Sequence, residues 1–105
     1  MKFLRLMLIV FAIGFSSDSN AVAYMGVTSC EEWVNRHSTN DSSMEEWILG
    51  YLSGLAAANN IDLLKGAQRK SLFSWMDNYC QKNPLKRIDS GAHDLALELI
   101  KRMNK

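Results

Sequence analysis

Two cysteines, Cys30 and Cys80, place the strongest limit on how this chain of 105 residues folds. A bond between them closes a loop of about 51 residues, and the chain-entropy model values such a loop at roughly 4 kcal/mol. This is a large share of the roughly 5–15 kcal/mol that stabilises a typical domain. Because disulfides persist in oxidising compartments, whether the chain is exported decides how the pair is interpreted.

The N-terminal region has the order of a secretory signal peptide. A positive region at residues 2–5 overlaps an almost unbroken apolar run at 4–15, and a small-x-small cleavage pattern follows at 21–23. The alternative, a transmembrane anchor, needs roughly 20 apolar residues, which is more than the 12 of this run. We therefore expect residues 1–23 to be a cleaved signal peptide and residues 24–105 to form one domain, with no membrane attachment after cleavage.

Export would place the cysteines in an oxidising compartment, and cleavage of the signal peptide would change the net charge of the chain. An even number of cysteines in an exported chain predicts a disulfide, so we expect Cys30 to pair with Cys80. The alternatives are two free thiols or a redox-active pair, although redox pairs usually occur as C-x-x-C, which this chain lacks. Without Lys2, Arg5 and Asp18 the chain has ten basic and ten acidic side chains. This balance lacks the basic stripe that nucleic-acid binding requires.

The secondary-structure signals of the expected domain are all helical, because no segment alternates apolar and polar residues over the length of a strand. A short first helix follows two overlapping capping boxes at residues 28–32, and a second helix runs from a capping box at 42–46 to about Ala58. A third helix is predicted over 67–81. Residues 36–41 are predicted to be a polar loop.

A fourth helix is predicted to reach the end of the chain. Asn83 and Pro84 have the residue types preferred at the N-cap and at the first helical position, so the helix is expected to begin there. Its apolar stripe indicates a face on the core and consists of Leu85, Ile88, Ala92, Leu95, Leu99 and Met103. Gly91 is its one weak point, where a break is the alternative. Together the patterns predict an all-α fold, a small four-helix bundle stapled by one disulfide.

Gly50 and Gly54 lie four residues apart inside the second predicted helix. Each glycine in a helix interior is unfavourable by about 1 kcal/mol relative to alanine. A chain that accepts this penalty twice usually needs another element to approach the backbone closely. The pair is therefore predicted to be a helix-packing point, and the alternative is a cradle for a small ligand.

Aromatic residues are numerous for a domain of this size. We single out five as core or partner-binding aromatics, namely Trp33, Trp47, Tyr51, Trp75 and Tyr79. Most of them must lie in the core. In so small a domain some are expected to reach the surface, where exposed aromatic side chains mark sites of protein binding.

No residue pattern in the chain points to catalysis. His37 and His93 have no cysteine or second histidine at metal-ligand spacing, and a zinc site needs three or four such ligands. The sequence has no G-x-S-x-G motif. The glutamate pairs at residues 31–32 and 45–46 fall in first helical turns, where they act as capping and dipole partners. We therefore expect a protein that is not an enzyme and that has no metal and no cofactor.

The motifs of the expected domain resemble those of the HdeA/HdeB family of periplasmic acid-stress chaperones. The matching features are Cys30 followed by Trp33, the helical segment "GYLSG" at 50–54, and "YCQKNP" at 79–84. The last segment is similar to the "YC-K-NP" segment of HdeB-like proteins. The resemblance covers nearly all of residues 24–105. It implies a small helical bundle in the periplasm with one disulfide between the segments that here hold Cys30 and Cys80.

A second resemblance is to the Rap/Tai immunity proteins of type VI secretion. It is carried by "WILGYLSGLAAA" at 47–58 and "NPLKRIDSGAHDLALELI" at 83–100. These proteins are periplasmic, all-helical and disulfide-bearing, and they bind a toxin. The chain departs from that group at residues 61–63, where the group usually has Cys-x-Pro and this sequence has Ile-Asp-Leu.

Both resemblances imply a protein whose partners are other proteins, either unfolded clients or one toxin. The chaperone family consists of homodimers near neutral pH that loosen in acid, expose apolar surface and hold unfolding proteins. In this chain, acid would move residues 24–105 from a net charge near zero to about +12 once the carboxylates are protonated. Such self-repulsion opposes a compact state, while a disulfide keeps the helices tethered.

Overall fold

A computed structural model describes residues 23–104 of the chain. These residues form five helices, and none of them is long and apolar enough to cross a membrane. The helices are α1 Cys30–Val34, α2 Arg36–Thr39, α3 Ser43–Ala58, α4 Arg69–Lys82 and α5 Ile88–Met103. The all-α prediction is confirmed, because the described part of the chain contains no strand. The predicted signal peptide lies outside the described residues, apart from its last residue, Ala23.

The predicted disulfide is present and ties the start of α1 to the last turn of α4. The Cα atoms of Cys30 and Cys80 lie 4.8 Å apart, and both residues are fully buried. Two backbone hydrogen bonds extend this joint to the segment before α5. The Cys30 amide donates to the Lys86 carbonyl over 2.8 Å, and the Ile88 amide donates to the Thr28 carbonyl over 3.0 Å. Three elements therefore meet at the covalent bond.

The core lies around α5, which packs against both α3 and α4. The stripe of α5 is buried at Ile88, Gly91, Ala92, Leu95, Ala96 and Leu99. The facing side chains are Met44, Ile48 and Leu52 of α3 and Leu72, Phe73 and Met76 of α4. These positions recur at spacings of three and four, so each helix presents one apolar face to the core. The sequence pattern predicted the α5 face at Ile88, Ala92, Leu95 and Leu99.

Close approach of two helices occurs at Gly91, where α5 runs without a break. An ideal Cβ on Gly91 would lie 2.7 Å from Met76 Cε and 2.9 Å from Tyr79 Cδ1. The prediction that Gly50 and Gly54 form a helix-packing point is wrong. No heavy atom of another element in the described chain lies within 4 Å of a Cβ built on either one. Both glycines face solvent because α3 turns its other side, with Ile48 and Leu52, toward α5.

The predicted start of the last helix at Asn83-Pro84 is also wrong. The Asn83 side-chain amide donates to the Tyr79 carbonyl over 2.9 Å, so this residue ends α4 instead of capping α5. The Lys86 amide donates to the Asn83 carbonyl and closes a turn. Arg87 is extended, with φ −106° and ψ 162°, because residues 86–88 pair with 28–30 beside the disulfide. Leu85, predicted in the stripe, is therefore 99% exposed.

Residues 36–39 were expected in a polar loop and instead form the short helix α2. The Ser38 hydroxyl donates to the Asn35 carbonyl, and the Thr39 hydroxyl donates to the Arg36 carbonyl. Asn40 ends the turn in the left-handed conformation, with φ 56°. The polar composition did not indicate this helix, because the residue that anchors it to the core, Arg36, is polar although it is buried at 4% exposure.

We predict opposite effects for alanine at two helical glycines. Gly91→Ala is expected to lower the free energy of unfolding by about 1 kcal/mol, because overpacking against the Tyr79 ring outweighs the gain in helix propensity. The matched control Gly54→Ala places its methyl group in open space and is expected to raise that free energy by up to about 1 kcal/mol. Urea unfolding of both variants measures the difference, and equal shifts would contradict the crossing at Gly91.

Candidate functional site

Arg36 is the one buried charged residue in the described chain. Its guanidinium lies 4.0 Å from the centre of the Trp33 ring. Nε donates to Glu45 Oε2 over 2.9 Å, and Nη1 donates to Asp77 Oδ1 over 2.6 Å and to the Trp33 carbonyl over 3.0 Å. We call Trp33, Arg36, Glu45 and Asp77 the Arg36 cluster.

The Arg36 cluster joins four helices through ion pairs, hydrogen bonds and a cation–π contact. Trp33 belongs to α1, Arg36 to α2, Glu45 to α3 and Asp77 to α4. The Trp33 indole N–H also donates to Asp77 Oδ1 over 2.9 Å, so one carboxylate oxygen receives two hydrogen bonds. A cation removed from water needs opposite charges and hydrogen bonds to be tolerated. Glu45 of α3 and Asp77 of α4 supply both the opposite charge and the hydrogen bonds, and they thereby hold α2 in place.

The segment α1–α2 covers part of the core beneath the cluster. Trp33 is completely buried, and its ring meets Phe73 of α4 edge to face, with 5.9 Å between the ring centres. Release of this segment from α3 and α4 would expose both aromatic rings. Isolated helices shorter than about 12–15 residues are marginal in water. Because α1 has five residues and α2 has four, neither forms without its contacts to α3 and α4.

Sequence reasoning identified Trp33 and missed the other three members of the cluster. The spacing of three between Trp33 and Arg36 was an available signal, since side chains at that spacing meet on one helix face. No pattern links Arg36 to Asp77, which lies 41 residues away. Glu45 was interpreted as a helix-dipole partner in the first turn of α3, and it also has this second role.

A second aromatic group packs the segment before α1 against α3. The rings of Trp47 and Tyr51 stack with centres 5.4 Å apart, and Tyr24 contacts both at 6.4 Å. The Trp47 indole N–H donates to the Met25 carbonyl over 2.6 Å. At Gly26, where φ is +76°, a Cβ would lie 3.2 Å from the Trp47 ring, so glycine allows both the backbone turn and the contact. Met25 itself remains 86% exposed.

Trp75 and Tyr79 form a third aromatic group on α4. Their rings stack with centres 5.6 Å apart, and the Tyr79 ring lies over Gly91. The Tyr79 hydroxyl is buried and has no hydrogen-bond partner within residues 23–104. Burial, with smaller effects from Asp94 and Asp89, raises the pKa of the Tyr79 phenol above its ordinary value. The pKa of Tyr51 is raised as well, mainly by burial.

Two open grooves flank the C-terminal half of α5. The α4–α5 groove, of about 1150 Å³, is bounded by the 62–68 connection, by α4 and by the end of α5. The α3–α5 groove, of about 520 Å³, is lined mainly by apolar side chains, including Leu55, Ile61 and Ile100. Met103 lines both grooves and is 45% exposed, so its predicted place in the core stripe is wrong.

The five predicted aromatics fall in three separate places. Trp33 is in the core, Trp47 and Tyr51 lie under the segment before α1, and Trp75 and Tyr79 stack on α4. Of the five, Trp75 borders the α4–α5 groove. Among residues 23–104 no group of three or more histidine, cysteine, aspartate or glutamate side chains is placed to hold a metal ion.

Comparison of the chain with protein-family models, with curated proteins and with solved structures found no match. The resemblances to the HdeA/HdeB and Rap/Tai families therefore remain predictions from the quoted motifs.

Removal of the shared carboxylate is expected to destabilise the fold strongly. Asp77→Ala leaves a buried guanidinium with one carboxylate and leaves the Trp33 indole without its acceptor. Because the Asp77 side chain is 35% exposed, we expect a loss of about 2 kcal/mol, below the range for breaking a fully buried pair. The control Glu98→Ala removes an exposed pair with Arg102 and is expected to change stability by less than about 0.5 kcal/mol. Urea unfolding at pH 7 compares them, and equal losses would contradict the role of Asp77.

Tyr79→Phe is expected to leave stability at pH 8 unchanged or slightly higher, because it removes a buried hydroxyl that has no partner. The pKa of this phenol is raised in the folded state. Its contribution to the free energy of unfolding is therefore complete below the unfolded pKa near 10 and is lost as pH rises through the folded pKa. The variant should therefore lose less stability than the parent protein between pH 8 and 11. Urea unfolding across this range measures it, and a loss at pH 8 would show that the hydroxyl has a partner.

Proposed function

We propose that this protein is a non-enzymatic, periplasmic protein-binding module that opens in acid and holds unfolding client proteins. The observation that carries the proposal is the Arg36 cluster. A buried cation is balanced there by two carboxylates, and the segment that the cation anchors covers aromatic core residues. The resemblance to HdeA/HdeB-like chaperones supports the same function.

Acid acts on this arrangement through the two carboxylates. Carboxylic acids lose their charge below about pH 3, whereas a guanidinium keeps its charge at every pH that a folded protein meets. At a pH low enough to protonate both of its partner carboxylates, Arg36 would be a buried charge without a counter-ion, which is strongly unfavourable. No other charged group forms an ion pair with Arg36 in the described residues. The favourable response is exposure of Arg36 to water.

Movement of Arg36 into water detaches α1–α2 from α3 and α4. The Cys30–Cys80 bond limits the movement because it keeps the start of α1 on α4. Trp33 and Phe73, which pack against each other in the folded state, would become accessible together. Exposed apolar surface of this kind marks sites of protein–protein contact. The net charge of about +12 in acid would oppose clustering of the opened molecules with each other.

Two variants of the cluster test this mechanism by light scattering of a client protein that aggregates throughout the range from about pH 2 to about pH 5. Asp77→Asn mimics the protonated acid at every pH, so it should suppress aggregation at about pH 5, where the parent protein does not. Arg36→Met combined with Glu45→Gln and Asp77→Asn removes the buried charge, so acid no longer drives opening. This triple variant should lose most of the suppression at pH 3.

Asp94→Asn is the matched control, since it removes one exposed carboxylate of α5 with the same change in net charge. It should behave as the parent protein does. Identical scattering curves with and without the parent protein at pH 3 would reject the chaperone function. Suppression by the parent protein that the triple variant retains in full would reject the Arg36 cluster as its trigger.

The second candidate function is that of an immunity protein that binds and neutralises one toxin. It is favoured by the two grooves beside α5, which are open in the folded molecule and need no acid. A pull-down from periplasmic extract at neutral and at acidic pH separates the two functions. One stoichiometric partner at neutral pH indicates immunity, and many partners in acid alone indicate a chaperone.

A further inference from the structure

We propose that the α4–α5 groove binds an acidic segment of a partner protein that inserts at least one large apolar side chain. This inference concerns the folded protein at neutral pH and does not rest on opening in acid. It follows from the shape of the groove, from the charges on its rim and from the apolar side chains along its floor.

The rim of the groove is predominantly positive. Lys65, Lys70 and Arg102 line it, and Asp62 is the one carboxylate among its lining residues. Neither lysine has a carboxylate within 4.0 Å in the part of the chain that the structure describes. Arg102 pairs with Glu98 through Nε over 3.3 Å, and this exposed pair leaves its other N–H groups free. The rim is therefore complementary to carboxylates.

Apolar side chains form part of the lining of the groove, together with the polar side chains of Gln68, Ser71, Ser74 and Asn78. Leu63, Leu72 and Leu99 lie almost fully buried beneath it, while Trp75 and Met103 are partly accessible at its sides. A tryptophan and a flexible methionine beside a depression are well suited to receive an apolar side chain. Anchoring residues at protein interfaces fill pockets of this kind, and charged residues surround them at the rim.

This combination favours a protein segment over a simple anion. A small anion would pair with the cations of the rim and would make no contact with the apolar side chains of the groove. With a volume of about 1150 Å³, the groove has room for several side chains. An acidic segment with an apolar anchor uses both features, because its carboxylates pair with the rim and its anchor covers Trp75 and Met103. The rim charges are expected to set the orientation and the association rate of such a partner.

A phage-displayed library of random peptides, selected on the oxidised protein at pH 7, tests the proposal without choosing the partner in advance. The enriched peptides should carry several aspartate or glutamate residues together with a leucine, phenylalanine or tryptophan. Their binding should weaken with added salt. The tightest peptide is then synthesised with a fluorescent label and titrated against variants of the groove.

The charge reversal Lys65→Glu with Lys70→Glu is expected to weaken binding of this peptide by about tenfold or more. The control Lys82→Glu with Lys86→Glu makes the same change in net charge outside the groove and should leave binding unchanged. A peptide in which lysines replace the acidic residues should bind the Lys65→Glu, Lys70→Glu variant better than the parent protein. The two charge-reversal variants must first show the same thermal unfolding as the parent protein.

Three results would overturn the proposal. They are the absence of any enriched peptide, enrichment of peptides without acidic residues, and equal weakening by the two charge reversals. Each is distinct from failure of the chaperone function, because every measurement is made at pH 7 on the folded protein. Loss of suppression at pH 3 with intact peptide binding would reject the proposed function alone.

Discussion

The bond between Cys30 and Cys80 is the joint on which the other contacts of this small molecule depend. It fixes the start of α1 on the last turn of α4, and the adjacent backbone hydrogen bonds add the start of α5. With α1 held there, Trp33 meets Phe73 and Arg36 reaches Asp77. Without the joint, two helices of five and four residues would have to close a long loop before gaining any contact.

Two physically different kinds of contact hold the helices around this joint. The contact between α4 and α5 at Gly91 is apolar, so acid affects it little. The contact of α1–α2 with α3 and α4 also depends on the ion pairs of Arg36 with Glu45 and Asp77. Under the proposed function, acid releases the α1–α2 segment before the rest of the molecule. This difference connects the folded structure to the proposed function in acid.

Helix α4 serves both proposals because it presents two different faces. Phe73, Asp77 and Cys80 face the α1–α2 segment, whereas Ser71 and Trp75 border the groove beside α5. The proposed client surface and the proposed docking groove thus lie on separate sides of one helix. A partner in the groove would leave the Arg36 cluster unchanged, so the two activities can be measured independently.

The sequence by itself determined the all-α class, the disulfide and most of the buried face of α5, because these follow from local spacing and from the pairing of two cysteines. The tertiary structure alone decided which glycine lies at a helix crossing, where α5 begins and why Arg36 is buried. Gly91, like Gly50 and Gly54, is a glycine inside a predicted helix. Only the packing of Met76 and Tyr79 against it distinguishes it from the other two. The physical reason is that spacing assigns residues to a face, whereas contacts between different helices depend on how the faces are assembled.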